Sequence, residues 1–96
     1  MVDLTGLIDR LMQGRVEFVV AGAYAAILHG ATVVTRDVDI CMPFSPENLL
    51  RLRDSLAGLH PWHRMTPQRL PLQLDEGNAG QFKNLYLATD LGPLDV

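Results

Sequence analysis

The sequence predicts an α/β (α+β) fold with helices packed on a mixed β-sheet. Apolar residues recur at helical spacing in Leu4, Leu7, Ile8 and Leu11, and again in Leu49, Leu50, Leu52 and Leu56. Between these stretches lie short runs rich in β-branched residues, at 16–21 and 37–42. Later in the chain two more strand-like runs flank a turn, the pattern of antiparallel neighbours.

Each element has its own signal. Gly14 ends the first helix, and 16–21 then reads as a buried strand. Residues 23–28 suit a short helix, with Gly30 supplying a left-handed cap. The second strand, 37–42, is stopped by Pro43. Ser45, Pro46 and Glu47 form an N-cap, a proline at the first helical position and an acid in the first turn, opening a helix that runs to about Gly58. Residues 60–71 hold three prolines and no period, which predicts a loop. Strands follow near 69–74 and 84–89, parted by a turn at 75–80, before Leu94-Asp95-Val96.

Ninety-six residues make one domain, 1–96, with a single small core. The chain is 48% hydrophobic and 20% charged, which is ordinary for a soluble globular protein. No apolar run approaches the roughly 20 residues of a membrane span, and MVDLTGLIDR lacks a basic region before an apolar stretch, so the expectation is a cytoplasmic protein with no membrane partner. The formal charge of −3 gives no global attraction to nucleic acid. Locally, Arg51, Arg53, Arg64 and Arg69 lie in one stretch with only Asp54 opposing them, and Trp62 stands between them. The single cysteine, Cys41, excludes an internal disulfide and argues against a cysteine-based zinc site. Alternation puts it on the face of Asp37 and Asp39, where it reads as a small buried residue.

The most informative run is VVAGAYAAILHGATVVTRDVDI. In the Asp37-Val38-Asp39-Ile40 strand both carboxylates share one face, while Val38 and Ile40 point into a core. Carboxylates held that close repel each other, and a divalent cation between them relieves it. Upstream, the turn at Gly22-Ala23 opens a helix, where backbone N–H groups and the positive end of the helix dipole suit a phosphate. Together these read as a site for a metal-bound nucleoside triphosphate.

This arrangement resembles the nucleotidyltransferase superfamily that includes DNA polymerase beta. The matching residues are Ala21-Gly22-Ala23, the spacer 24–36, and Asp37-Val38-Asp39-Ile40. The wording LHG…TRDVDI is most similar to small bacterial members, among them toxins of toxin–antitoxin pairs and antibiotic-modifying enzymes. The family's third carboxylate, on a later strand, matches Asp95. Ala23 stands where the family has Gly or Ser, so its backbone N–H survives but a side-chain hydroxyl is lost. The resemblance implies transfer of a nucleoside monophosphate from a triphosphate to an acceptor hydroxyl or phosphate. The resemblance allows a tRNA end, a protein side chain or a small molecule as acceptor, and an antitoxin or a second copy is an implied partner. It also implies Mg2+ (or Mn2+) held by Asp37, Asp39 and Asp95 as two ions about 4 Å apart, with Asp95 as general base. The alternative is a catalytically inactive nucleotide- or partner-binding module of the same fold.

The remaining residues carry paired readings. Thr35 and Arg36 hold a phosphate through a hydroxyl and a guanidinium, or are a neutral surface pair. His29 suits the C-terminus of an apolar helix better than a ligand set. His60 and His63 have no cysteine or acid ligands nearby in sequence. Trp62 packs on the core or stacks a nucleobase. Because a strand bearing a catalytic acid is ordinarily locked by residues beyond it, the chain reads as truncated at its C-terminus, or as covered there by a partner.

Overall fold

A computed structural model describes residues 2–30, 32 and 35–96. Part of the 24–36 spacer, at positions 31, 33 and 34, therefore lies outside the described residues. The described residues form three α-helices and a six-stranded mixed sheet: α1 (Leu4–Gln13), β1 (Val19–Ala21), α2 (Gly22–Leu28), β2 (Val38–Cys41), α3 (Pro46–Ser55), β3 (Trp62–His63), β4 (Leu70–Pro71), β5 (Tyr86–Thr89) and β6 (Gly92–Asp95). A 3-10 turn sits at Ala79–Gln81. The strand order is β1-β2-β6-β5-β3-β4. Only β2 and β6 run parallel among the described strands; every other pair is antiparallel. No described helix is long and apolar enough to cross a membrane.

The helices start where the side chains supply caps. The Asp3 carboxylate accepts from the Gly6 N–H at 2.9 Å, and the Ser45 hydroxyl accepts from the Asn48 N–H at 3.2 Å. Leu7 and Leu11 of α1 and Leu49 and Leu52 of α3 are fully buried and share one core with Val38, Ile40, Leu87 and Leu94 of the sheet. Fully burying each such side chain contributes roughly 1.5–3 kcal/mol. This core lies on one face of the sheet. The other face is not sealed: Val19, Cys41 and Tyr86 are exposed, while Asp95, Pro93 and Trp62 are half-buried.

Several sequence expectations need correction. The first strand is Val19–Ala21 rather than 16–21, because Asn48 takes both backbone groups of Glu17. Its Oδ1 accepts from the Glu17 N–H at 2.8 Å and its Nδ2 donates to the Glu17 carbonyl at 3.0 Å. The second strand loses one residue at each end of 37–42. The third helix ends at Ser55 with Leu56 as its cap, short of Gly58. Residues 60–71 are not wholly a loop. Trp62 and His63 pair with Ala88 and Leu87 on one side and with Pro71 and Leu70 on the other. The strand expected at 69–74 shrinks to Leu70–Pro71, and a proline is tolerated there because β4 is an edge strand. Cys41 is exposed, not buried. Alternation assigns its face correctly, but nothing in the sequence says that this face is left uncovered.

Candidate metal and nucleotide site

The parallel pairing of β2 and β6 builds the site. Asp39 lies opposite Asp95 across that pair and opposite Ala21 on β1. Asp37 precedes β2 by one residue, two positions from Asp39 and therefore on the same side. One carboxylate oxygen from each of Asp37, Asp39 and Asp95 lies within 4.8 Å of the others. All three residues are half-buried.

Gly22 lies against the Asp39 carboxylate. Its φ is +67°, a conformation costly for a residue with a Cβ, and a Cβ placed there would overlap Oδ2 of Asp39. The glycine is thus required twice, by its backbone and by the carboxylate that it touches. Helix α2 begins at this residue, and its N-cap, Ala21, offers no side-chain acceptor to the first N–H groups. Ala23 is exposed beside them. Tyr24 faces inward, its hydroxyl 2.7 Å from that of Thr5 on α1, which ties α2 to the rest of the fold.

Thr35 and Arg36 lead into the acids. The Thr35 hydroxyl donates to the Asp37 carbonyl at 3.0 Å, bracing the approach to β2, and Arg36 is exposed.

Arg64 is the residue that sequence reasoning placed elsewhere. Instead of joining a positive stretch with Arg51, Arg53 and Arg69, its Nη2 donates to Asp95 Oδ1, and both side chains are largely buried. The guanidinium carbon sits 6.0 Å from the centre of the Tyr86 ring, and its Nε is buried with no partner. The stretch itself is dispersed. Arg51 pairs with Glu47 at 2.8 Å, Arg53 pairs with Asp54 at 2.9 Å and donates to the Leu74 carbonyl, and Arg69 lies over Trp62. No sequence signal marks Arg64, because its partner is far away in the chain and the strand that it follows, β3, falls in an aperiodic, proline-rich window. The histidines lie apart from the acids. His29 caps α2, His60 bonds to Asp90 at 2.6 Å, and His63 stacks on Phe82.

The electrostatics follow from this crowding. Burial first, then the charges of Asp37 and Asp95 and a hydrogen bond shared with Asp95, push the Asp39 carboxyl above its ordinary range; Arg64 pulls the other way without reversing the shift. Three hard oxygen donors with excess negative charge suit a divalent cation such as Mg2+ or Mn2+ rather than zinc.

No family model, curated protein or solved structure matches this chain.

Proposed function

We propose that this chain is a metal-dependent nucleotidyltransferase that moves a nucleoside monophosphate from a nucleoside triphosphate to an acceptor hydroxyl or phosphate. The observation that carries the reading is the convergence of Asp37, Asp39 and Asp95 within 4.8 Å, with the Gly22 turn seated against Asp39. Asp37, Asp39 and Asp95 would hold Mg2+ or Mn2+, which when bound neutralises triphosphate charge and lowers the pKa of the attacking hydroxyl. The uncapped N–H groups of Gly22 and Ala23 donate to phosphate oxygens, with Thr35 and Arg36 at the approach to the acids. The acceptor oxygen forms a bond to the α-phosphorus, the bond from that phosphorus to the bridging oxygen breaks, and pyrophosphate leaves with the electron pair. The acceptor's proton passes to Asp95, whose Oδ2 is free of the Arg64 contact.

The Arg64–Asp95 ion pair favours a second reading, a nucleotide- or partner-binding module without turnover, because a guanidinium already supplies a positive charge to the cluster. Ala23, which lacks the family's hydroxyl, points the same way. Pyrophosphate release from each NTP with Mg2+ or Mn2+, in the presence of candidate acceptors, separates the two. Release that stops in Asp37→Asn supports the enzyme. Nucleotide binding with no release under any condition supports the module.

A further inference from the structure

The unsealed face of the sheet continues well beyond the acids. Asp39 pairs with Asp95, Asp95 pairs with Tyr86, and the Arg64 N–H donates to the Tyr86 carbonyl at 3.0 Å. Two residues further along β5, Ala88 pairs with both Pro93 and Trp62. Pro93 is two residues from Asp95, and Ala88 is two from Tyr86, so alternation puts Trp62 on the same face as the acids. Trp62 stands on β3 and the nearest acid on β6, with β5 between; from Asp37 on β2 the distance is three strand spacings, about 14 Å.

At Trp62 the face opens into a cavity of about 430 Å3, within the size range of small-ligand sites. Pro61, Pro71 and Leu72 give it apolar walls, and the paired His60 and Asp90 give it a polar rim. The Arg69 guanidinium lies 4.3 Å from the centre of the Trp62 indole. The guanidinium covers one face of the indole, so the pair presents a stacked planar surface and a positive charge at the cavity, and the Arg64–Asp95 ion pair lies between it and the other acids.

In-line phosphoryl transfer puts the attacking and leaving oxygens on opposite sides of the phosphorus. With pyrophosphate on the Gly22 side, beyond β2, the acceptor approaches from the side of β5 and β3. We propose that the Trp62–Arg69 cavity is the acceptor site, and that the acceptor is the end of a single-stranded nucleic acid. One base stacks in the cavity and neighbouring phosphates contact Arg69 and Arg64, the combination by which single strands are held. This inference rests on the nucleotidyltransferase reading for the direction of approach. A cationic small molecule would meet Arg69 and is disfavoured.

Trp62 is the only tryptophan in the chain, so its emission reports occupancy of the cavity. A single-stranded oligoribonucleotide about six residues long, within the span that such sites take, should quench Trp62 without divalent cation. Arg69→Ala should weaken its binding about tenfold, as read by anisotropy of a labelled strand. Asp39→Asn should leave the quenching intact. Absence of quenching, or binding that Arg69→Ala does not weaken, overturns the proposal. Quenching by ATP at lower concentration than by the oligonucleotide also overturns it, because the donor's own base would then occupy the cavity. Oligonucleotide quenching in a protein that never releases pyrophosphate removes the transferase reading while keeping the cavity as a nucleic-acid site.

Discussion

Asp39 and Asp95 face each other across the one parallel strand pair among the described residues, and Gly22 packs directly on the Asp39 carboxylate. Two acids from distant parts of the chain are thus held side by side by backbone pairing. Their mutual repulsion is a cost of the fold in the absence of a cation.

Metal binding should relieve that cost. Mg2+ or Mn2+ should raise the melting temperature of the wild type at neutral pH, since a ligand of the folded state must stabilise it. In Asp37→Asn and Asp39→Asn the metal-dependent shift should vanish, with metal-free stability level or higher. Asp95→Asn should differ, because it removes the partner of Arg64 and should cost about 1–2 kcal/mol without metal. Thermal melts of the three variants with and without Mn2+ check this. A full metal shift in both Asp37→Asn and Asp39→Asn would refute the site.

The raised Asp39 pKa has a pH signature. Its ordinary value is 3.8, and burial, Asp37 and Asp95 lift it in the folded state while Arg64 opposes them. The folded state therefore binds the Asp39 proton more tightly than the unfolded chain does. Its contribution to stability is fully present below about 3.8 and is lost as pH rises through the higher folded value. Asp39→Asn should be more stable than wild type at pH 7, and the advantage should shrink to nothing as pH falls below that window. Urea denaturation of both proteins across pH 3–7 measures the difference; an advantage that does not change with pH would contradict the assignment.

Gly22→Ala should expose two separable penalties. The positive φ costs about 1–2 kcal/mol for any residue with a Cβ. Overlap with Asp39 adds to it in the wild-type background only. In Asp39→Ala the Gly22→Ala substitution should therefore cost less than in wild type, a coupling that a double-mutant cycle by urea denaturation resolves. Equal costs in the two backgrounds would mean that Gly22 does not press on Asp39.

Asn48 should matter more than a helix-surface asparagine. It is buried, accepts from the Glu17 N–H, and donates to the carbonyls of Glu17 and Pro43, both at 3.0 Å. Asn48→Leu leaves those three backbone groups without partners and should cost about 2–4 kcal/mol. Asn48→Asp keeps the acceptor but sets a carboxylate against two carbonyls, so its loss should grow as pH rises through the carboxylate range. Chemical denaturation at pH 4 and pH 7 tests both.

Much of this molecule was legible in the sequence by itself, wherever the cause lies in neighbouring residues. The periodicity of Leu4, Leu7, Ile8 and Leu11 made α1, Ser45 and Pro46 started α3, and alternation put Asp37 and Asp39 on one side of β2 with Val38 and Ile40 in the core. What only the tertiary structure decided depends on which segment lies beside which. Pairing register brought Asp95 to Asp39, and a two-residue strand in a proline-rich window carried Arg64 to Asp95 and set Trp62 on the same face. The Asn48 side chain shortened β1 by taking the backbone groups of Glu17. Cys41 is exposed because no described element seals its face. Periods and caps are properties of consecutive residues, whereas register, ion pairs and exposure are set by contacts between residues that the chain keeps far apart.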